Sequence, residues 1–294
     1  MRFHNISILG LGLLGGSLAL AIKQRKLAAR TQAYARREAT VAEARALGLA
    51  DLVTGDLKEA VRGADLIVLC TPLSQMRVVA AAMRSHLQPG AIVTDVGSSK
   101  SLIAAELEPL LHEAKAVFVG SHPMAGSEKS GLSAARANLF DNAICLVTPG
   151  NASPPAAVAA VENFWRDIGA NPHRMTPETH DDLVGRSSHL PHIVAAELAN
   201  YVLSPAHPKE QALVCATGFR DTTRIASGSP EMWRDIALSN RRVLTRVLGV
   251  FIEDLQEFQL ALERNDASII EEFFANAKQR RDQWRASSDS PSVE

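Results

Sequence analysis

A histidine within residues 120–128 is the side chain best suited to acid–base chemistry in this sequence. An apolar run precedes it and predicts a buried strand, and Pro123 with the neighbouring glycines predicts a turn. His122 is therefore expected at the carboxyl end of a strand, where open α/β sheets build their sites. Because a neutral imidazole accepts a proton near neutral pH, a nucleotide-binding fold around it would favour redox chemistry with a histidine as proton acceptor.

A glycine-rich segment near the amino terminus indicates a nucleotide-binding fold. Residues 5–9 read as a strand, a GxGxxG pattern follows, and residues 17–23 read as a helix, which is the context that a dinucleotide site requires. The first glycine would form the turn, the second would admit a pyrophosphate, and the third would let helix and strand pack closely. The alternative is a turn without a ligand. The predicted cofactor-binding residues are Gly10, Gly12, Leu13, Leu14, Gly15, Thr71 and Pro72.

The residues after the second predicted strand, 31–34, bear on the choice of cofactor. An NAD site usually has an acidic residue there, but this chain has Arg36 and Arg37. Guanidinium groups suit a 2′-phosphate, so NADP is favoured over NAD. Two solvated arginines at the start of a helix are the alternative, and Glu38 could still reach a ribose.

Composition limits the classes of protein that remain. The chain has 294 residues and a formal net charge of −1, which gives no basis for attraction to nucleic acid or membranes. The three cysteines lack metal or redox spacing, and the histidines lack zinc spacing, so we expect a reducing compartment and no metal. Without a recognisable signal peptide or membrane span, the expected location is the cytoplasm.

The order of predicted elements indicates two domains and a tail. Strands alternate with helices through residues 1–172, which predicts an α/β Rossmann domain with a doubly wound, mostly parallel sheet. Residues 173–286 show helical periodicity without a convincing strand, which predicts an all-α domain. Residues 287–294 are polar and are expected to be disordered.

Four polar clusters stand beside the glycine motif, at residues 97–100, 120–131, 187–192 and 218–226. With these motifs in this order, the chain closely resembles the prephenate/arogenate (cyclohexadienyl) dehydrogenase family over nearly its whole length. The resemblance implies NAD(P)-dependent oxidative decarboxylation of prephenate, arogenate or both, giving 4-hydroxyphenylpyruvate or tyrosine. It also implies a homodimer formed through the helical domain. We expect no carboxyl-terminal ACT-type regulatory domain, since the chain ends soon after that domain.

The resemblance also assigns roles to residues. His122 would accept the proton of the C4 hydroxyl as hydride leaves for the nicotinamide, and Ser98 would hold His122 or the hydroxyl unless it only caps the helix from residue 101. Arg224 would bind a carboxylate, with Asp221 orienting it, and Glu128 would act as a gate. Arg220 is expected at the surface and Trp233 in the pocket wall or a dimer contact. The remaining pocket residues implied are Ser127, Ser188, His189 and His192.

Two other functions remain open at this stage. A β-hydroxyacid dehydrogenase shares the plan of a Rossmann domain followed by helices, but usually depends on a lysine in the helical domain. A non-catalytic NADP sensor would keep the glycines and would not need His122 together with Arg224.

Overall fold

The computed structural model describes residues 3–126 and 131–288, and the side chains up to residue 284. The chain forms two compact units, which divide between Val243 and Leu244. No helix in the described part of the chain is long and apolar enough to cross a membrane.

A parallel sheet of six strands forms the amino-terminal half, as predicted. The strands run in the order β3-β2-β1-β4-β5-β6, so the order reverses between β1 and β4. Loops after these two strands therefore meet at the point where doubly wound sheets bind nucleotides. The strands are β1 (Phe3–Leu9), β2 (Ala28–Tyr34), β3 (Leu52–Thr54), β4 (Leu66–Leu69), β5 (Ile92–Asp95) and β6 (Val117–Phe118).

Helices connect the parallel strands and cover the sheet. Their inward faces are apolar, as in α6, where Val158, Val161, Trp165 and Ile168 recur at helical spacing and are buried. The helices are α1 (Leu13–Arg25), α2 (Glu38–Ala46), α3 (Leu57–Val61), α4 (Leu73–Met83), α5 (Ser101–Glu113) and α6 (Pro155–Ile168).

His122 lies in a strand of a second, three-stranded sheet, which the sequence did not predict. The strands β7 (Gly120–Pro123), β8 (Ile144–Thr148) and β9 (Asn171–Arg174) form it, with β7 antiparallel to β8. The predicted turn begins one residue later than expected, because His122 pairs with Leu146 and Pro123 with Cys145 inside this sheet, and the chain bends at Met124, where the Ala125 N–H donates to the Pro123 carbonyl at 2.7 Å. Proline is tolerated at the end of a short edge strand because its missing N–H breaks little of the ladder.

The second half is helical, and the described chain contains no strand after Arg174. The polar residues 187–192 include the first residues of a helix that begins at Leu190. They lie at a π-helical segment (Gly185–His189) between α7 (Pro177–Val184) and α8 (Leu190–Val202). Such π segments widen one turn and often occur at functional sites.

The remaining helices are α9 (Thr217–Thr223), α10 (Pro230–Ser239), α11 (Arg241–Glu263) and α12 (Ala267–Ser288). The last helix extends two residues beyond the predicted end of the domain at 286, and residues 289–294 of the predicted tail lie outside the described residues.

A buried ion pair joins the two sheets. The ammonium of Lys100 contacts the carboxylate of Asp95, and the two side chains are 1% and 0% exposed. Lys100 Nζ also donates to the carbonyl of Ser121 at 3.0 Å, while the Ser121 N–H donates to Asp95 Oδ1 at 3.0 Å. The indole N–H of Trp165 donates to Ser121 Oγ at 2.9 Å. These bonds fix strand β7, and therefore the residue next to Ser121, His122.

We expect Lys100→Met to lower the free energy of unfolding by about 3–5 kcal/mol, because it leaves the buried Asp95 carboxylate without its cation. Urea unfolding measures the loss. The control is Arg84→Met, which removes an ion pair with Glu113 whose partners are exposed and should cost at most about 1 kcal/mol. Equal losses in the two variants would contradict the assigned role of the pair.

Candidate active site

The glycine loop has the geometry that the motif predicts. Gly10 has a φ of +108°, and a Cβ atom there would lie 2.7 Å from the carbonyl oxygen of Cys70. A Cβ atom on Gly15 would lie 1.9 Å from the carbonyl oxygen of Gly10. A Cβ atom on Gly12 would have no neighbour within 4 Å, so the loop is closed on its protein side and open at Gly12. No larger residue fits at Gly10 or Gly15.

The surroundings of this loop suit a nucleotide cofactor. Helix α1 has no side-chain cap at its amino end, where Leu13 and Leu14 begin the helix and where phosphates bind in this class of fold. The hydroxyl of Thr71 is buried without a hydrogen-bond partner in the described structure, and Pro72 caps α4. Arg36 and Arg37 are both exposed after β2.

A hydrogen-bonded chain of three side chains holds His122. Its Nδ1 atom lies 2.9 Å from Nε2 of His180, and Nδ1 of His180 lies 2.9 Å from Oδ1 of Asp181. All three residues are buried. Each imidazole is therefore oriented by the next group, which is how a catalytic histidine is commonly fixed.

The same Asp181 carboxylate caps helix α5. It accepts the backbone N–H of Lys100 at 2.7 Å and that of Ser101 at 2.9 Å. The alternative that Ser98 caps this helix is therefore wrong, since a carboxylate from α7 satisfies these donors. Ser98 is half-buried in the loop just before the helix, and no hydrogen bond to His122 is found for it among the described residues.

A second histidine lies beside this chain and is held by Asn240. Asn240 Nδ2 donates to the backbone carbonyl of Asp181 at 2.9 Å and lies 3.1 Å from Nδ1 of His189. The Nε2 atom of His189 is buried and makes no well-aligned hydrogen bond in the described structure, and the backbone carbonyl of Ser98 lies close enough to this ring to raise its pKa. One wall is aromatic: His192 stacks on Trp233 with ring centroids 3.8 Å apart.

The predicted substrate residues are only partly brought together. The carbonyl of Ser188 accepts a hydrogen bond from His192 Nδ1. Burial lowers the pKa of His192, and the nearby cation of Arg224 lowers it further. Arg220, Asp221 and Arg224 are exposed, and the described structure contains no ion pair between Asp221 and Arg224. Ser127 and Glu128 lie outside the described residues.

The electrostatics keep the buried histidines neutral. Burial, and then the neighbouring His180, Lys100 and His189, holds the pKa of His122 well below its usual value. Burial also lowers the pKa of His180, although Asp181 opposes the shift, and it lowers the pKa of His189 to about 4. Burial alone would raise the pKa of Asp181, but hydrogen bonds from His180, Ser101 and Lys100 lower it. A carboxylate thus faces neutral imidazoles.

Sequence reasoning missed His180, Asp181 and Asn240. His180 and Asp181 are adjacent residues in the first turns of α7, a pairing that stands out only once partners elsewhere in the chain are known. The hydrogen bond between His122 and His180 spans 58 residues, and that from Asn240 to Asp181 spans 59. Within the described residues, no group of three or more His, Cys, Asp or Glu side chains is arranged to hold a metal ion.

Comparison with known proteins identifies the family. Sequence models of the prephenate dehydrogenase nucleotide-binding domain and of its dimerization domain match residues 18–173 and 176–278. The chain belongs to the prephenate dehydrogenase family. It is 37% identical to the cyclohexadienyl dehydrogenase of Zymomonas mobilis, over 95% of each chain, and 36% identical to the prephenate dehydrogenase of Bacillus subtilis, over 94% of this chain and 75% of that one.

A solved member of this family has the same fold. The prephenate dehydrogenase of A. aeolicus, crystallised with hydroxyphenyl propionate and NAD⁺, superimposes with a TM-score of 0.89 at 30% identity, over 95% of this chain and 98% of that one. The predicted fold class, a Rossmann domain followed by a helical domain, is confirmed, and the chain is an enzyme of this family.

The lowered histidine pKa values predict that the protein becomes less stable as pH falls. Below about 6.5, the unfolded chain protonates His122, His180 and His189 while the folded chain keeps them neutral, and each difference of one proton contributes about 1.4 kcal/mol per pH unit. For His189 this window extends down to about pH 4. Urea unfolding from pH 8 to pH 4.5 measures the slope. His189→Asn should reduce the slope of the unfolding free energy against pH by up to about 1.4 kcal/mol per pH unit, which is the contribution of one proton. An unchanged slope would argue against a neutral buried His189.

Proposed function

We propose that this enzyme catalyses the NAD(P)-dependent oxidative decarboxylation of prephenate, arogenate or both, with His122 accepting the proton of the C4 hydroxyl. The products are 4-hydroxyphenylpyruvate or tyrosine, and CO₂. The observation that carries the proposal is the chain His122–His180–Asp181, which holds a neutral imidazole in a protein of this family.

His122 acts on the hydroxyl during the redox step. A bound oxidised nicotinamide would supply the acceptor for the hydride that leaves C4, and loss of that hydride would make the C4 O–H acidic. His122 accepts the hydroxyl proton through its unprotonated nitrogen. The bond to the ring carboxylate then breaks, its electron pair completes the aromatic ring, CO₂ leaves, and the resulting phenolate oxygen takes the proton back from His122. Ser98 in the loop before α5 is proposed to orient the hydroxyl or the imidazole.

The anionic substrate needs cations and donors. Arg224 is proposed to bind a carboxylate, since a guanidinium matches two carboxylate oxygens at once. Asp221 is proposed to orient that arginine once substrate is bound, and Glu128 to gate the pocket. His192, stacked on Trp233, gives the ring of the substrate an aromatic wall. Ser127, Ser188 and His189 complete the proposed lining.

The cofactor is proposed to be NADP, with NAD as the alternative. Thr71 has an unpaired buried hydroxyl beside the glycine loop, and Gly12 faces open space, so the residues present fit a dinucleotide. The preference for NADP depends on Arg36 and Arg37, because their exposed guanidinium groups follow β2 where a 2′-phosphate would lie.

We also propose the assembly, location and domain division expected from the sequence. A homodimer through the helical domain is supported by the match of residues 176–278 to a dimerization domain. A cytoplasmic location is supported by three cysteines that form no disulfide. The boundary between domains is proposed at residues 172/173, just before the end of β9.

Four assays on one preparation test the reaction: prephenate and arogenate, each with NAD and with NADP. We expect turnover with at least one pair, and His122→Asn should lower kcat by about 10²–10⁴-fold with cofactor affinity retained. His173→Gln, at an exposed position in β9, is the control and should keep full activity. Absence of turnover in all four assays, or normal turnover in His122→Asn, would refute the proposal and favour a β-hydroxyacid dehydrogenase or a sensor.

Replacing both arginines tests the cofactor preference. Arg36→Ser with Arg37→Ser should lower kcat/KM for NADP by roughly 10-fold or more, since a charge-assisted hydrogen bond contributes about 1.5–3 kcal/mol, and should leave kcat/KM for NAD nearly unchanged. Arg84→Ser, far from the loop in sequence and exposed, is the matched control. A wild-type enzyme that prefers NAD, or equal losses with both cofactors, would contradict the assignment.

A further inference from the structure

The end of the hydrogen-bonded chain fixes where its protons lie. A carboxylate only accepts hydrogen bonds, so the nitrogen facing Asp181, His180 Nδ1, carries a proton. A neutral imidazole has one donor and one acceptor nitrogen, so His180 Nε2 accepts. The nitrogen that faces it, His122 Nδ1, must then donate. Neutral His122 is left with an unprotonated Nε2 atom, which is an acceptor.

The contact with Asn240 gives His189 the opposite tautomer to that of His122. A carbonyl oxygen cannot donate, so the amide group of Asn240 must turn its nitrogen toward the carbonyl of Asp181, 2.9 Å away. That nitrogen carries two hydrogens, and the second points to His189 Nδ1 at 3.1 Å. His189 Nδ1 therefore accepts, and the proton of the neutral ring lies on Nε2. This N–H makes no well-aligned hydrogen bond in the described structure, and the backbone carbonyl of Ser98 lies close enough to His189 to raise its pKa against the effect of burial.

We propose that His180 and Asn240 are positioning residues that, anchored on Asp181, hold His122 and His189 in opposite tautomers. The site then offers its substrate one nitrogen acceptor, His122 Nε2, and one nitrogen donor, His189 Nε2. The proposal rests on the proposed function, because it assigns the acceptor to the C4 hydroxyl. The donor suits an oxygen of the same substrate, because an N–H group pairs with an oxygen acceptor.

The tautomers can be read directly in the wild-type protein. Nitrogen-15 NMR of protein labelled at histidine distinguishes protonated from unprotonated ring nitrogens, and spectra of His122→Asn and His189→Asn assign the two rings among the nine histidines. At pH 7.5 we expect His122 protonated at Nδ1 and His189 protonated at Nε2. The other tautomer at either ring, or a mixture of tautomers, would overturn the proposal.

Kinetics of His180 variants test the consequence for catalysis. His180→Leu removes the acceptor for His122 Nδ1–H and frees His122 to take either tautomer. We expect kcat to fall about 100-fold, with KM changed less than about threefold. His180→Gln retains an amide oxygen that can accept the same N–H. Its kcat should therefore be at least about tenfold higher than that of His180→Leu. Equal kcat values in the two variants, or a loss confined to KM, would show a merely structural role.

Asn240 is tested in the same way through its own histidine. Asn240→Leu removes the donor to His189 Nδ1 and should move the proton of His189 from Nε2 to a mixture of both nitrogens in the NMR spectrum, while the His122 signals stay unchanged. An unchanged His189 tautomer would overturn the assignment of Asn240.

These measurements separate the inference from the proposed function. The NMR measurement needs no turnover, so absence of activity with prephenate and arogenate would refute the function while the tautomers could still be as assigned. An active enzyme with a reversed His122 tautomer would refute the inference and leave the function standing.

Discussion

The candidate site depends on the single carboxylate of Asp181. It accepts three N–H groups, two from the first turn of α5 and one from His180. A buried carboxylate is stable only when donors surround it, so the three hydrogen bonds support one another. The same carboxylate caps α5 and ends the hydrogen-bonded series of histidines. It therefore holds both the loop that carries Ser98 and the ring of His122 in place.

A second constraint makes this arrangement possible. The ion pair between Lys100 and Asp95 attaches strand β7 to the end of β5 through Ser121, and His122 follows Ser121 in that strand. A histidine on a short edge strand is thereby given a fixed backbone. The cost of burying polar groups is offset by nearly complete hydrogen bonding. Burial and the neighbouring His180 lower the pKa of His122, and the cation of Lys100 lowers it further, so the imidazole stays neutral.

The sequence correctly predicted the glycine loop and the parallel sheet, because neighbouring residues determine both features. The glycine loop follows from steric contacts within a few residues, as the positions of Gly10 and Gly15 show. The parallel sheet follows from alternating apolar runs and helices. The strand at His122 was hidden because proline and glycine favour a turn unless a partner strand pairs with them. The roles of His180, Asp181 and Asn240 come from partners 51 to 81 residues away, which no local pattern reports.

The contact between His122 and the reacting oxygen is the central claim, and a crystal structure tests it most directly. The wild-type enzyme should be crystallised with its nicotinamide cofactor and hydroxyphenyl propionate, a phenol that resembles the product. We expect His122 Nε2 to lie about 2.6–3.2 Å from the phenol oxygen. A phenol oxygen bound to another group, with His122 beyond hydrogen-bonding distance in the ternary complex, would contradict it.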